Sequence, residues 1–125
     1  MNVLVVSPKA NFLADELKVL AQNNLSPHHQ PTVEEACKAS REIMPTLVIL
    51  DAEASQDNLA STCRTLHSAS QAPVIVVSQE ALSEVEAAAC YDAGAGARLL
   101  VGVSPTMLLA WANALVRRQG RRDPS

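Results

Sequence analysis

The chain alternates short apolar runs with longer segments whose apolar residues recur at helical spacing. Apolar runs of about 4–8 residues without polar alternation are typical of strands buried on both faces of a parallel sheet. A strand of lower propensity, rich in polar residues, follows the first segment of helical spacing. The predicted strands are Val3–Val6, Ser26–Gln30, Thr46–Asp51, Pro73–Ser78 and Arg98–Val103.

Helices are predicted between and after these strands. Thr32 and Glu35 form a capping box, Gly94 is a C-cap, and Ser104 followed by Pro105 starts the last helix. This alternation predicts an α/β domain, doubly wound around a parallel sheet. The predicted helices are Asn11–Gln22, Thr32–Ile43, Asn58–Ser68, Ser83–Ala93 and Ser104–Arg118.

Composition favours one small cytoplasmic domain. The 125 residues, 48% of them hydrophobic, suffice for one core. No apolar run approaches the ~20 residues that a membrane span requires, and the first residues lack the features of a signal peptide. Three widely spaced cysteines indicate neither a disulfide framework nor a metal site, so we expect them to be buried thiols in a reducing compartment.

Charge is unevenly distributed. The formal net charge is −3, but residues 1–116 carry six Lys/Arg against twelve Asp/Glu, whereas residues 117–125 carry four Arg against Asp123. We therefore predict a domain at residues 1–118 and a basic linker or tail at residues 119–125 that leads to an output domain. Four arginines alone are weak grounds for nucleic-acid binding, so we do not expect this domain to bind nucleic acid directly.

Asp51 is the residue of greatest chemical interest. It follows an apolar strand directly, and in open parallel sheets the carboxyl ends of the strands carry the functional groups. Neither a G-x-G-x-x-G fingerprint nor a P-loop is present. The sequence therefore predicts one acid at the functional edge of the sheet, without a nucleotide-binding loop.

Taken together, these stretches resemble the receiver domains of two-component response regulators over residues 2–118. The resemblance implies a flavodoxin-like fold, with a five-stranded parallel sheet in the order 2-1-3-4-5, in which Asp51 is the phosphoacceptor. It rests on Val3–Val6, Met44–Asp51, Ala72–Ser78, Ala93–Ala95 and Ser104–Pro105 with the Leu108-Leu109 helix.

The phosphorylation site departs from the family pattern. Receivers follow the first strand with two acids that hold Mg²⁺, and here those positions are Ser7 and Pro8. The lysine position is Val101, and the switch aromatic falls at Arg98. Asp51 and Ser78 alone are retained.

Phosphorylation of a carboxylate brings like charges together, so a metal and a lysine must neutralise the transition state. Ser7, Pro8 and Val101 supply neither, which predicts a vestigial site without metal or cofactor. Two placements of Lys9 stay open: its ammonium lies beside Asp51, or it lies in solvent. Glu53 is a candidate second carboxylate.

The last predicted helix has a second apolar stripe, Met107, Trp111 and Ala114, beside its core face. With Arg98, this stripe predicts an interface for a protein partner or a homodimer. The alternative is that Trp111 is half-buried at the edge of the helix.

The sequence thus predicts a pseudo-receiver of a bacterial response regulator that acts by protein–protein interaction or dimerisation and is not an enzyme. One alternative is a functional receiver that accepts a phosphoryl group on Asp51. A second is a small α/β ligand-binding domain or enzyme of the same topology, since fold does not fix function.

Overall fold

A computed structural model describes residues 1–56 and 58–121, without the side chains of residues 119–121. Its sheet has five parallel strands in the order β2-β1-β3-β4-β5, as predicted. Central strands β3 and β4 are buried at every residue, which explains their unbroken apolar sequence. The strands are β1 (Asn2–Val6), β2 (Ser26–Gln30), β3 (Leu47–Asp51), β4 (Val74–Ser78) and β5 (Ala95–Leu100).

Five helices alternate with the strands, and a short 3-10 helix, Ala52–Ala54, follows β3. Side-chain oxygens of Thr32, Asn58 and Ser83 accept hydrogen bonds from backbone N–H groups in the first turns of α2, α3 and α4. Ser104 caps α5 in the same way through Met107 N. The helices are α1 (Ala14–Gln22), α2 (Val33–Ile43), α3 (Leu59–Ser70), α4 (Glu84–Asp92) and α5 (Pro105–Arg121).

The core is divided into two apolar clusters, one on each face of the sheet. One cluster joins the sheet to α2, α3 and α4, and includes Leu4, Leu50, Leu66 and Val76. The other joins the sheet to α1 and α5. Helices on both faces are the arrangement of a doubly wound domain.

The prediction for the fifth strand was wrong by three residues. We expected Arg98–Val103, whereas β5 is Ala95–Leu100. Small residues of low strand propensity begin this strand because α5 packs closely on it: a Cβ at Gly96 would lie 2.8 Å from Leu115 Cδ2. The close approach of α5 requires small residues at the start of β5. Their low strand propensity is the reason that the sequence prediction left them in a loop.

Among the helix boundaries, the start of α1 and the end of α5 differ most from the sequence prediction. α1 begins at Ala14 rather than Asn11, after Leu13 adopts a left-handed conformation with φ 50°. α5 continues to Arg121, three residues into the segment that we predicted as a linker. The remainder of that predicted tail, residues 122–125, lies outside the described residues.

Within the described chain, no helix combines the length and the apolar character needed to cross a membrane.

Candidate functional site

Asp51 lies at the carboxyl end of β3 and is only 3% exposed. Its Oδ2 accepts a hydrogen bond of 2.7 Å from Ser7 Oγ. Its Oδ1 accepts a hydrogen bond of 3.0 Å from the backbone N–H of Glu53, so Asp51 also caps the short 3-10 helix. Each carboxylate oxygen thus has a donor from the protein itself, as buried charged groups require.

Ser7 follows β1 and is fully buried. Its hydroxyl donates to Asp51 and accepts a hydrogen bond of 3.1 Å from the backbone N–H of Lys9. Its own N–H donates to the carbonyl oxygen of Gln30, and its carbonyl oxygen lies 2.8 Å from His29 Nε2. Ser7 therefore joins β2, β1 and β3 at the edge of the sheet where the resemblance implies a metal-binding acid.

An ion pair between Lys9 and Glu53 lies next to the Ser7–Asp51 hydrogen bond. Lys9 Nζ is 2.8 Å from Glu53 Oε2, and the two side chains are 49% and 44% exposed. The hydrogen bond to Glu53 and its negative charge raise the pKa of Lys9, and the charge of Asp51 adds to the effect. Lys9 is thus paired with Glu53 and not with Asp51, although it is close enough to interact with the charge of Asp51. The structure therefore matches neither of the two predicted placements fully, since the ammonium is neither bonded to Asp51 nor free in solvent.

A cavity of about 180 Å³ opens over Asp51. Val101, at the position of the family lysine, contributes only an apolar wall that is 46% exposed. Lys9 supplies the only ammonium group among the lining residues, which are Lys9, Asn11, Phe12, Leu13, Asp51, Gln79 and Val101.

Ser78 lies at the end of β4, but its hydroxyl is directed to the following loop. Ser78 Oγ donates a hydrogen bond of 2.7 Å to the carbonyl oxygen of Glu80. The carbonyl oxygen of Ser78 accepts one from Val101 N. This hydroxyl stabilises the turn after β4.

These residues do not fit a Mg²⁺ ion. Mg²⁺ requires hard oxygen ligands in octahedral geometry, usually including one or two carboxylates. Asp51 is bonded to Ser7 and Glu53 N, and the Glu53 carboxylate is paired with Lys9. Pro8 is exposed and has no ligand atom in its side chain. Across residues 1–56 and 58–118, no group of three or more His, Cys, Asp or Glu side chains is arranged to hold a metal.

The residues predicted to form an interface differ in exposure. Met107 is 51% exposed, and Arg98 is also exposed. Trp111 and Ala114 are partly buried, and Trp111 packs against the cluster between the sheet and α1 and α5. Two further apolar residues at the end of β5, Leu100 and Val101, are 48% and 46% exposed.

Sequence reasoning missed two contributors to the site. His29 contacts the Ser7 carbonyl across the β1–β2 pair, and Gln79 lines the cavity over Asp51. The available signal was position in the chain: His29 is next to the last residue of β2 and Gln79 directly follows β4, so both lie at the carboxyl edge of the sheet.

Comparison with known proteins supports the fold. No family model matches the sequence, and no curated protein does. A CheY-like receiver domain protein from Methanospirillum hungatei is 18% identical over 96% of both chains, with a TM-score of 0.83. The BeF3-activated N-terminal receiver domain of Klebsiella pneumoniae RstA is 20% identical, with a TM-score of 0.80 over 94% of this chain and 99% of its own.

A third similar structure is the N-terminal domain of a response regulator/sensory box/GGDEF 3-domain protein from Carboxydothermus hydrogenoformans. It is 16% identical, with a TM-score of 0.79 over 97% of this chain and 98% of its own. The chain described here therefore has the CheY-like, flavodoxin-like fold of response-regulator receiver domains.

Proposed function

We propose that this chain is a pseudo-receiver, a receiver-like signalling domain that acts without Mg²⁺-dependent phosphorylation of Asp51. The observation that carries the proposal is the hydrogen bond from the buried Ser7 hydroxyl to Asp51 Oδ2. Through this bond a neutral hydroxyl, rather than a metal ion, contacts the Asp51 carboxylate. Ser7 stands at a position where a receiver has a metal-binding acid. Without Mg²⁺ and without a lysine at the position of Val101, the negative charge of an incoming phosphoryl group is repelled by the Asp51 carboxylate, and the nearby Lys9 ammonium is already paired with Glu53.

Incubation with acetyl phosphate and Mg²⁺, followed by intact-mass measurement, tests the proposal. We expect no phospho-adduct on the wild-type chain. An adduct that is absent from Asp51→Asn would contradict the proposal, and the exposed-acid variant Glu42→Gln controls for phosphorylation elsewhere.

A second candidate function is phosphoryl acceptance on Asp51 with altered use of cations. The observation in its favour is that Lys9 lines the same cavity as Asp51 and senses its charge. In that case an adduct forms and is lost in Lys9→Met as well as in Asp51→Asn. The two functions thus give opposite results in one experiment.

We further infer that the domain is not itself an enzyme. Ser7 and Asp51 are a hydroxyl and a carboxylate in contact, but Ser7 is fully buried, so its oxygen has no access to a substrate. The domain would then transmit its signal by binding other proteins in the cytoplasm. We expect it to form a homodimer and to act on an output domain of the full-length protein. The Carboxydothermus neighbour, an N-terminal domain of a 3-domain protein, supports the latter by analogy.

A further inference from the structure

A larger cavity lies beside the Asp51 site, and we call it the α2–α3 groove. Its volume is about 460 Å³, within the range of about 300–1,000 Å³ that is typical of ligand sites. The lining residues are Pro8, Pro31, Thr32, Val33, Glu34, Glu53, Ala54, Gln56, Asn58, Ser61, Thr62 and Thr65.

The groove is located where the sheet topology favours binding. Its walls include the segments that follow β1, β2 and β3, at the carboxyl edge of the sheet. After β1 the chain crosses to the face covered by α1 and α5, and after β3 it crosses to the face covered by α2, α3 and α4. Ligands of open α/β sheets bind in the crevice at such a topological switch point.

One wall of the groove is a polar stripe on α3. Asn58, Ser61, Thr62 and Thr65 recur at intervals of three and four residues, so they share one helical face. Ser61 Oγ makes no hydrogen bond to any described residue, whereas Thr65 Oγ1 donates to the carbonyl oxygen of Ser61. Thr62 Oγ1 is bonded to Ser55 Oγ and Asn58 O, and Asn58 Oδ1 accepts from Ser61 N. The oxygens that the stripe offers as acceptors to a ligand are therefore those of Ser61 and Thr65.

The charged side chains among the described lining residues are two carboxylates, Glu34 and Glu53. Each is paired with a lysine that is not itself part of the lining, Lys38 and Lys9. A bound cation would take the place of such a lysine, whereas a phosphate or carboxylate would have no cation of the described lining to pair with. A cation that also donates hydrogen bonds would be matched both by the carboxylates and by the hydroxyl oxygens.

Glu53 is shared between the groove and the Asp51 cavity. Its carboxylate binds Lys9 Nζ at 2.8 Å, and Lys9 lines the cavity over Asp51. Glu34 has a looser contact, 3.5 Å, with Lys38. All four side chains are between 44% and 80% exposed, and exposed pairs of this kind are weak. A cation that competes for Glu53 therefore has only a weak ion pair to displace.

We propose that the α2–α3 groove binds a guanidinium or primary ammonium group, and that this group takes Glu53 away from Lys9. The released Lys9 ammonium then has Asp51 as its nearest carboxylate in the cavity that both residues line. Occupancy of the groove thus changes the electrostatic environment of Asp51. This inference does not depend on whether Asp51 accepts phosphate.

The test is an NMR titration of the isotopically labelled chain with agmatine, which carries both a guanidinium and a primary amine. We expect the amide resonances of Thr32, Ser61 and Glu53 to shift in a saturable manner. Glu53→Gln should weaken binding several-fold. Glu42→Gln, the same charge change on an exposed residue in the last turn of α2, should not.

Lys9→Met should have the opposite effect on agmatine affinity. Because Lys9 competes with the ligand for Glu53, its removal should tighten agmatine binding several-fold. Equal weakening in Glu53→Gln and Glu42→Gln, or no tightening in Lys9→Met, would overturn the proposal, since either result indicates general attraction to an acidic surface.

A capped tripeptide with a central arginine distinguishes the two sources of the cation. Tighter binding of the peptide than of agmatine assigns the groove to a side chain of a protein partner. Tighter binding of agmatine assigns it to a free amine. Failure of both to shift the groove resonances would contradict the site itself.

Discussion

Ser7 Oγ donates a hydrogen bond of 2.7 Å to Asp51 Oδ2, and both residues are buried at the ends of adjacent strands. Ser7 accepts from Lys9 N, Asp51 accepts from Glu53 N, and the side chains of Lys9 and Glu53 form an ion pair. The contacts close into a ring that joins the loops after β1 and β3. Asp51 therefore has a structural role that does not require phosphorylation.

Ser7→Ala should destabilise the domain by about 1–3 kcal/mol, because a buried carboxylate oxygen loses its donor. Urea unfolding followed by circular dichroism measures this free energy. Ser61→Ala is the matched control, since Ser61 is exposed and its Oγ makes no hydrogen bond to a described residue; it should change stability by less than about 0.5 kcal/mol. Equal effects of the two substitutions would contradict the structural role of Ser7.

Ser7→Asp should create a dependence on Mg²⁺ that the wild-type chain lacks. Two adjacent buried carboxylates repel each other, so the variant should unfold at lower temperature without metal. A bound Mg²⁺ would restore stability through mass action. Thermal unfolding with and without millimolar Mg²⁺ checks this, and a wild-type chain that responds as strongly as Ser7→Asp would contradict the proposed loss of the metal site.

Gly94→Ala should be more destabilising than Gly102→Ala, although both glycines have positive φ, 117° and 99°. A Cβ at Gly94 would lie 2.6 Å from His67 Cγ, whereas nothing lies within 4 Å of a Cβ at Gly102. Backbone strain costs each variant about 1–3 kcal/mol, and overpacking against His67 adds to the cost for Gly94→Ala. Denaturant midpoints of the two variants give the comparison; equal midpoints would show that His67 moves aside freely.

Thiol chemistry should distinguish the cysteines. Burial raises the pKa of Cys63 to about 12, with a smaller contribution from Cys90, and burial raises the pKa of Cys37 and Cys90 as well. Because thiolates are the reactive form, Cys63 should resist alkylation at pH 8 in the folded chain, as measured by peptide mass spectrometry. Rapid native labelling of Cys63 would contradict its burial.

The same shift makes stability depend on pH in a defined direction. The unfolded chain loses the Cys63 proton near pH 9, whereas the folded chain keeps it to about pH 12. The folded state therefore binds more protons in this interval, and stability should fall as pH rises from 9 to 12. Cys63→Ala, compared with wild type by urea unfolding at several pH values, should flatten this part of the profile.

Met107→Glu should abolish the homodimer proposed above without unfolding the domain. Met107 is 51% exposed on α5, so its replacement leaves the core intact. Trp111→Glu is a less selective test, because Trp111 packs against the core cluster shared with α1. Sedimentation of wild type and Met107→Glu at several concentrations tests for the dimer. A wild-type chain that stays monomeric at high concentration would contradict the proposed homodimer.

The sequence by itself determined the order and type of the elements. Apolar runs such as Leu47–Leu50 bury both faces of a strand, and Thr32, Asn58, Ser83 and Ser104 satisfy helix N-termini through local hydrogen bonds. Both signals lie within a few residues of the feature that they specify. They were sufficient for the doubly wound fold and for the position of Asp51 at its functional edge.

Only the tertiary structure decided the start of β5 and the contacts of Asp51. A residue without a side chain stands at Gly96, inside the strand, because Leu115, nineteen positions later in the chain, occupies the space that a Cβ would need. The bonds from Ser7 to Asp51 and from Lys9 to Glu53 each span 44 positions. Local propensity contains no information about partners at such separations, because folding alone determines which side chains meet.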